Sequence, residues 1–533
     1  MNTSLKFASL FLQITDNQFI VIFTVVLMES YLILFVMRKR FEQQLALDAN
    51  PISEVEIDSK SRHQLPKLLA GLQYIFVTPD LNESVFRVLE DKILAQKKST
   101  GRLGMSLWEI LVLGAMRLNL DKDYDELYDL ANHHEVVRGM MGVGSQRVFD
   151  GGKYYALQTM KDNVVLLDEE TLSQISELVV KAGHQLKKNA AADISLELKS
   201  DTYPVQANVH FPTDLNLLWD SIRKCLDTTN ELLQEHFLPS WRKRSYWHRT
   251  LKSSYRHVAN IHQKKGKDYQ QRLRVATIEY LKASRKLARR LQDSMSKWAA
   301  VKSPSLLLMG LRKQLEYYYE MLVKHIDLVD RRILQGEQIP HGEKVFSIFE
   351  PHVEWLQKGK PNNQVELGHN VLVTTDQYGF IVDHKVLEKE ADSAQPIPLS
   401  NRLKERFASH DHYHLGSISF DRGFYSALGK KALQKDFEQV VMPRKGKKTS
   451  AQQEEEQEKT FVALRNRHSA VESNINELEH SGVNRVPDRS LSGFKKYVAM
   501  GVLAHNLKKL GQLVMEQELL HTIVPLRNRK QAA

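Results

Sequence analysis

Apolar residues in the first part of the chain recur with helical spacing. They return every three or four positions in Leu65–Phe76 and again in Glu83–Leu94, which predicts two helices. A third helix is expected to begin at Ser106–Glu109, because this Ser hydroxyl and Glu carboxylate can satisfy free amides at a helix start. A fourth is predicted from Asp123 to about His133. Residues 38–190 are therefore predicted to form a helical N-terminal domain.

The last two of these helices are joined by a short polar turn, Asn119–Lys122. Two short helices joined in this way are compatible with a helix-turn-helix, and we assign the N-terminal domain to DNA binding on this basis. A plain helical hairpin fits the same pattern and is the simpler interpretation. Arg117 and Arg138 are too few basic residues to indicate a DNA contact by themselves.

The apolar period changes from helical to alternating at Leu196. Residues Leu196–His210 alternate over much of their length and predict a β-strand. After Pro212 a long helical zone begins at Asp214 and ends near Gly336. Residues 213–344 are therefore predicted to form a helical insertion that follows the first strand.

Short strands and helices then alternate towards the C-terminal end. The predicted strands are Val365–Thr374, Phe380–Leu387, Ser417–Asp421 and Gln439–Met442. The predicted helices are Leu399–Ser409, Phe424–Phe437, Phe461–His480 and one or two within Leu491–Leu520. A polar, charged loop is predicted over Lys445–Lys459, and residues 516–533 are predicted to be a C-terminal tail.

Three acidic residues stand out by their positions in this pattern. Asp201 lies inside the first strand, Asp421 ends the fourth strand, and Glu472 lies within a helix. The order of elements is the one that a ribonuclease-H-like fold needs when it is split after its first strand. In that fold the first and fourth strands are neighbours, so these acids would lie side by side. We therefore predict an α/β catalytic domain, residues 191–212 and 345–515, with a mixed five-stranded sheet.

Clustered carboxylates of this kind favour a divalent cation. Without one, the three acids would repel each other and their pKa values would rise. Magnesium is a hard cation that prefers oxygen ligands. Two such ions, about 3.5–4 Å apart, can activate the attacking oxygen and stabilise the leaving oxygen of an in-line displacement. The three acids are therefore candidate metal ligands and catalytic residues.

Composition favours a folded, intracellular protein with a polyanionic partner. The 533-residue chain is 42% hydrophobic and 26% charged, and Cys225 is its only cysteine, which excludes an intramolecular disulfide. The net charge is +11 and the pI about 9.2. Between Trp241 and Ala300, 17 Lys and Arg face only three acids, which makes this window +14. Trp241, Tyr246, Trp247 and Tyr255 lie among these charges, so the window is predicted to bind DNA phosphates and unpaired bases.

The chain resembles the DDE transposases of bacterial insertion sequences, notably the group known as ISNCY. The likeness runs from about Met37 to Gly511 and rests on ordered motifs. These are Ser200–Thr202, Asn208–Asp214, Leu217–Asp220, Phe346–Glu350, Val365–His369, Ser419–Tyr425, Pro443–Gly446, Arg467–Ile475 and Gly493–Tyr497.

This resemblance implies a ribonuclease-H-like catalytic domain that cleaves and joins DNA at the ends of the element. It implies two divalent metal ions, Mg²⁺ or Mn²⁺, with Asp201, Asp421 and Glu472 as the triad. Glu477 and Glu479 are rivals for the third position. Glu479 lies on nearly the same helix face as Glu472, whereas Glu477 points elsewhere. The partners expected are transposon-end and target DNA and a second copy of the chain in a homodimer.

Several basic residues are candidate DNA contacts. Those near the third acid, Arg465, Arg467, Lys495 and Lys496, are of a kind that is more often simply solvated. Glu454, Glu455 and Glu456 are expected to be solvent-facing acids of a loop. His468 lies one turn before the third acid, and contact with the substrate phosphate or metal shell is as plausible as a structural role. The candidate DNA contacts are Arg242, Lys243, Arg244, Arg465, Arg467, His468, Lys495 and Lys496.

The first 37 residues differ in character from the rest of the chain. Phe19–Met37 is an apolar run near the length of a membrane span, followed by Arg38-Lys-Arg40. Glu29 lies mid-span, where an acid is costly, and the motif likeness starts near Met37. Translation starting at Met37 is the preferred interpretation of residues 1–37, with a membrane anchor as the alternative. We therefore expect a cytoplasmic protein, with membrane attachment disfavoured.

Two other functions compete with the transposase. A catalytically inactive, transposon-derived DNA-binding protein would share the basic surface, but all three acids are present. A membrane-anchored protein would use the basic face on anionic lipid. Retention of cleavage by Asp201→Asn would argue against the transposase, and solubility without detergent of a chain starting at Met37 would argue against the anchor.

Overall fold

A computed structural model describes residues 38–42, 49–94, 104–119, 123–144, 153–188, 193–357, 365–408 and 412–531, with side chains described as far as residue 517 except those of Asn119, Lys188, Arg244 and Ala408. It is a mixed α/β protein that is mostly helical and carries one mixed sheet. The helices, in chain order, are α1 (Gln64–Val77), α2 (Pro79–Ile93), α3 (Leu107–Asn119), α4 (Tyr124–His133), α5 (Glu135–Met140), α6 (Leu157–Val164), α7 (Glu169–Lys188), α8 (Asp214–Glu235), α9 (Arg244–Lys264), α10 (Tyr269–Ala299), α11 (Leu306–Val329), α12 (Pro396–Leu403), α13 (Ala427–Leu433), α14 (Ser450–Gln457), α15 (Lys459–Arg467), α16 (Ala470–Leu478) and α17 (Leu491–Gln531).

The sheet has seven strands in the described part of the chain, two more than the five that the pattern predicted. They are β1 (Ile194–Ala207), β2 (Glu354–Gln357), β3 (Val365–Thr375), β4 (Ile381–Val386), β5 (Tyr413–Phe420), β6 (Gln439–Val441) and β7 (Arg485–Val486). The order is β2-β3-β1-β5-β6, with β4 also pairing with β3 and β7 with β1. β3 and β4 form an antiparallel hairpin, whereas β1, β5 and β6 run parallel. The first strand and the strand that ends before Asp421 are therefore neighbours, as predicted.

The chain divides into two compact units. The first holds the described residues up to Tyr203, then Asn370–Val486, then those from Ser492 onward. The second holds Pro204–His369 and Pro487–Leu491. The helices of the predicted N-terminal domain, 38–190, thus belong to the same unit as most of the sheet. The second unit is larger than the predicted insertion, 213–344, because it also takes in the end of β1, all of β2, the start of β3 and Pro487–Leu491.

The helix starts of the first unit follow the predicted capping. The Ser106 amide donates to the Glu109 carboxylate at 2.8 Å, and the Glu109 amide donates to the Ser106 hydroxyl at 3.2 Å. The Asp123 carboxylate accepts from the amides of Asp125 and Glu126, which fixes the start of α4. Where α1 crosses α17, a side chain at Gly71 would meet the Leu507 carbonyl, so the two backbones touch there.

The two arginines near the predicted helix-turn-helix are buried, which favours the helical hairpin. Arg117 is 5% exposed, and its guanidinium lies over the rings of Tyr124 and Tyr497 at 4.5 and 5.1 Å. Arg138 is 3% exposed and donates to the Lys153 carbonyl at 3.0 Å. Both side chains therefore stabilise the fold, and because they are buried neither offers its charge to DNA.

The second unit is built on the four helices α8–α11, which share one apolar core. Its sequence alternates apolar residues at helical spacing with charges on the outer faces. Trp241 and Trp298 are fully buried, and the Trp241 indole donates to Ser294 at 2.8 Å. Trp241 therefore cannot stack on DNA bases, contrary to the prediction for the basic window, whereas Tyr246 is 57% exposed.

Three further predictions were wrong in detail. The charged loop Lys445–Lys459 contains helix α14, whose start has a complete capping box between Thr449 and Gln452. Of the predicted helix Phe424–Phe437, only Ala427–Leu433 is α-helical. It follows the 3₁₀ turn Arg422–Phe424 and begins where Ser426 caps it by accepting from the Gly429 amide. The predicted helix Phe461–His480 is broken into α15 and α16 at His468 and Ser469.

Candidate active site

The parallel pairing of β1 with β5 places two of the predicted acids together. The register matches Lys199 with Ser419 and Ser200 with Phe420. Asp201 and Asp421 each come next along their strands. Because neighbouring parallel strands advance in step, these two carboxylates start from the same level of the sheet. Both belong to the first unit, as does Glu472.

Asp201 sits in an environment that opposes its charge. Its side chain is half-buried, and its Oδ1 accepts the Thr202 amide at 2.7 Å. Burial raises the pKa of Asp201 to about 6, and the nearby charges of Asp421, Asp392 and Glu472 raise it further against the lowering effect of the Thr202 amide. Asp421 and Glu472 are thus both close enough to act electrostatically on Asp201.

Asp392 is a fourth acid of this cluster, which the sequence interpretation missed. It begins a 3₁₀ turn after β4 and accepts a hydrogen bond from the Thr202 hydroxyl at 3.2 Å. Burial and the charge of Asp421 raise the pKa of Asp392, while the Thr202 hydrogen bond and Lys445 lower it. The loop after β4 holds two other acidic residues, so the sequence alone gave no reason to select Asp392.

Asp421 is held by the turn that follows its strand. Its Oδ1 accepts the Gly423 amide at 2.6 Å and caps the 3₁₀ turn Arg422–Phe424. The side chain is exposed to solvent. Asp201 and Asp421 are therefore held in the same way. In each, a backbone amide donates to one carboxylate oxygen and so orients the side chain, and the second oxygen takes no part in that hydrogen bond.

Glu472 lies in the first turn of α16 and is exposed. Its negative charge raises the pKa of both Asp201 and His468, so it faces the same cluster. Glu477, by contrast, is paired with Lys508 at 3.5 Å and Lys509 at 3.3 Å. This agrees with the helical geometry that directed Glu477 away from the site.

His468 brings a ring nitrogen to the edge of the cluster. Its Nδ1 lies 3.0 Å from the Ser419 hydroxyl on β5, and its Nε2 is buried with no hydrogen-bond partner in the described part of the chain. Burial lowers the pKa of His468, and the charges of Asp421 and Glu472 oppose that effect. A buried, unsatisfied nitrogen costs free energy, which a ligand in the site would recover.

None of the four carboxylates of this cluster is paired with a Lys or Arg side chain among the described residues. This is notable in a chain with a net charge of +11. As the side chains stand, no three His, Cys, Asp or Glu residues of the described ranges form a group that could hold a metal ion. Asp201 and Asp392 nevertheless each have a pKa raised in part by the charge of Asp421, so repulsion between the acids opposes their ionisation.

The predicted DNA contacts are divided between the two units. In the first unit, Arg465 is exposed, Arg467 pairs with Glu197 at 2.8 Å, and Lys495 pairs with Glu388 at 2.6 Å. Lys496 is half-buried and interacts with another residue of the protein. In the second unit, Arg242 and Lys243 are exposed, and the side chain of Arg244 lies outside the described residues.

The metal-free stability of the protein should depend on Asp201. A pKa near 6, against about 3.9 for a free Asp, corresponds to roughly 3 kcal/mol of destabilisation once the group is ionised. Because the folded-state pKa is raised, this cost is absent below about pH 4, grows as the pH rises and is complete above about pH 6. Asp201→Asn keeps an oxygen for the Thr202 amide and should therefore raise the midpoint of urea unfolding in EDTA at pH 7.5 but not at pH 4.

Asp293→Asn, an exposed acid on α10, is the control for this measurement, because it makes the same charge change away from the cluster. Equal stability of Asp201→Asn and the unchanged protein at pH 7.5 would show that the ionised carboxylate carries no such cost.

No helix in the described part of the chain is both long and apolar enough to cross a membrane, and the apolar run 19–37 lies outside that part. Comparison of the chain with protein-family models, with curated proteins and with solved structures finds no match. The transposase resemblance thus stays a prediction, carried by the motifs and by the geometry of the site.

Proposed function

We propose that this protein is a DDE-type transposase, a metal-dependent enzyme that cleaves DNA strands and transfers them at insertion-sequence ends. The observation that carries this proposal is the parallel pairing of β1 with β5, which brings Asp201 and Asp421 to one level with Glu472 in electrostatic range. The sequence motifs predict these same three residues as the triad. They lie 220 and 51 residues apart along the chain, so only the fold brings them together.

The strand order supports a ribonuclease-H-like catalytic domain. The path β4-β3-β1-β5-β6, with an antiparallel hairpin followed by parallel neighbours, is the order that this fold requires. The helical insertion follows β1 directly, where the resemblance implies a split. β2 and β7 are additions to that core pattern.

The donor set fits two divalent cations. Asp201, Asp421, Glu472 and Asp392 would supply the oxygen ligands of such ions, and the buried Nε2 of His468 would be available to the substrate. Carboxylate oxygens are the ligands that Mg²⁺ and Mn²⁺ prefer. Such ions, when bound, supply activation of the attacking oxygen and stabilisation of the leaving oxygen.

The protein's own groups orient these ligands. The amides of Thr202 and Gly423 fix the rotamers of Asp201 and Asp421, and the Thr202 hydroxyl holds Asp392. Ser419 fixes the ring of His468. Support of this kind reduces the reorganisation needed when substrate binds. Glu472 has no such support and is exposed, so it is the ligand with the most freedom to turn towards a bound ion.

The second unit would bind the DNA backbone. Nearly all the basic side chains of the window 241–300 are exposed where the structure describes them, the exceptions being Lys252 and Arg290. A surface of this charge neutralises phosphates without reading sequence. Two DNA ends must be joined in one reaction, so a homodimer is the expected active form. An inactive DNA-binding relic would share this surface but would have no use for the acid cluster.

Cleavage of supercoiled plasmid DNA tests this function. With Mn²⁺ the protein should convert supercoiled plasmid into nicked circles, and EDTA should stop the reaction. Glu472→Gln should slow nicking by at least ~100-fold, because Gln keeps the size of the side chain but ligates a cation poorly. Glu479→Gln, on nearly the same helix face, should stay within ~3-fold of the unchanged protein.

The reverse ranking of the two variants would assign the third acid to Glu479. Nicking that persists equally in both variants would point to a contaminating nuclease and remove support for the proposed function.

A further inference from the structure

A cavity of about 450 Å³ lies just beyond Asp421 in the first unit. Its lining includes Tyr425, which is four residues after that acid, together with Lys430, Lys431 and Arg444. The opposite wall is the acidic face of α14, with Glu455 and Glu456. Basic groups on one wall thus meet carboxylates on the other, beside the cluster proposed for catalysis.

The contacts across this cavity are ion pairs. Glu455 binds the Lys430 ammonium through both oxygens, at 2.6 and 2.7 Å. Glu456 pairs with Lys448 and also accepts the Arg444 amide at 3.1 Å. The pKa of Glu456 is lowered by Lys448, by the Arg444 amide and by Arg422, against an opposing effect of burial. Glu456 interacts electrostatically with Arg422, and Arg422 directly follows Asp421 of the acid cluster.

Little besides these charges holds α14 in place. The helix has only eight residues and buries none of them. A free helix of this length is unstable in water. Its three consecutive acids, Glu454 to Glu456, lie in its C-terminal half, where the helix dipole disfavours negative charge. The capping box at Thr449 fixes the start of the helix, but only the partners across the cavity offset the unfavourable charge at its end.

The basic segment before α14 also reaches the acid cluster. Lys445 lowers the pKa of Asp392, whereas Lys448 pairs with Glu456. Arg444 lies over the ring of Tyr425 at 5.7 Å. Lys445 and Lys447 are exposed. Basic residues of this segment therefore lie both near the proposed catalytic acids and at the cavity.

We propose that this cavity is a binding site for the phosphodiester backbone of the DNA strand, and that the carboxylates of α14 occupy it when DNA is absent. Lys430, Lys448 and the Arg444 amide are donors suited to phosphate oxygens. In the DNA-free protein Glu455 and Glu456 take the positions of two phosphates. A DNA strand displaces them, because a polyanion offers the same cations more charge and releases its own counterions. The helix thereby weakens the binding of short or incomplete DNA near Asp421.

This inference rests on the proposed function only in taking DNA as the polyanion. Its test uses the full-length protein in EDTA with a fluorescein-labelled 30-base-pair duplex of arbitrary sequence, followed by anisotropy at low and high salt. Glu455→Gln combined with Glu456→Gln should tighten binding by ~10-fold at ~50 mM salt, and the gain should shrink at ~200 mM because the charges are screened. Gln at position 456 can still accept the Arg444 amide, whereas the ion pairs with Lys430 and Lys448 that hold α14 over the cavity are lost.

Glu454→Gln is the matched control, because it removes one charge from the same helix. Glu454 is exposed and has no ion pair in the described part of the chain. It should shift affinity by less than ~2-fold. Lys430→Gln should weaken binding and reduce the slope of log K against log salt by about 0.9.

Equal affinity of the Glu455/Glu456 double variant and the Glu454 control would overturn the inference, as would a failure of every variant to bind the duplex. The anisotropy measurement is made in EDTA, without free metal ions, so its result does not depend on DNA cleavage. Loss of nicking with a clear response of the double variant would reject the proposed enzyme but keep the phosphate site. Unchanged thermal midpoints of the variants show that the effect is on binding and not on folding.

Discussion

Asp201→Asn and Asp421→Asn are each expected to reduce Mn²⁺-dependent strand cleavage by at least ~10³-fold, because the function of the site depends on both carboxylates. Either change leaves a side chain of the same size that can accept the same backbone amide, from Thr202 or Gly423. What is lost is a negative oxygen ligand beside a polyanionic substrate. The measurement is the initial rate of nicking of supercoiled plasmid at saturating Mn²⁺.

The two variants should be non-additive, since each alone already removes the function of a shared site. Asp293→Asn serves as the control for a change of charge alone and should nick at the rate of the unchanged protein. If either active-site variant kept more than ~10% of the rate, the assignment of that acid would be wrong.

Asp383→Ala is expected to cost the largest amount of stability, roughly 3–5 kcal/mol. Asp383 lies on β4 with a fully buried side chain, and it pairs with Arg402 at 2.6 Å and with Arg406 at 2.9 Å. These two arginines lower its pKa against the effect of burial, so the carboxylate stays ionised. Removing it leaves two partly buried cations without their shared partner. Urea unfolding of the first unit, followed by circular dichroism, measures the loss.

Asp436→Ala is the comparison for this change. Asp436 accepts from Ser400 at 2.6 Å and Lys404 at 3.1 Å, so it also contacts α12 and the turn after it, but its side chain is 19% exposed. Its loss should cost about 1 kcal/mol, because water can replace the carboxylate. Similar losses for the two variants would mean that burial of the Asp383 pair adds nothing to stability.

The sequence predicted the parts of the fold that depend on local chemistry and on long apolar patterns. The capping residues Ser106 and Asp123 begin helices as predicted, because a cap acts through amides two or three residues away. The strand before Asp421 is buried along most of its length and was also recognised. The order of the elements was enough to place β1 beside β5, which is the pairing on which the candidate site depends.

The parts that the sequence could not predict depend on contacts distant along the chain. Helix α14 has no apolar face, and its acids are held by Lys430 and Lys448, so its pattern resembled a charged loop. β2 and β7 are only four and two residues long, which is too short to show an alternating pattern of apolar and polar residues. Asp392 joins the acid cluster through the Thr202 hydroxyl, a contact across 190 residues.

Binding of Mn²⁺ to the full-length protein tests the central claim most directly, because it requires neither the DNA end sequence nor an active assembly. Isothermal titration at pH 7.5, above the pKa of about 6 at Asp201, should show two ions per chain in the unchanged protein. Asp201→Asn should lose at least one of them, and Asp293→Asn should lose none. If the unchanged protein bound no Mn²⁺, or if Asp201→Asn bound it equally well, the four carboxylates would not be a metal site and the proposed transposase chemistry would be contradicted.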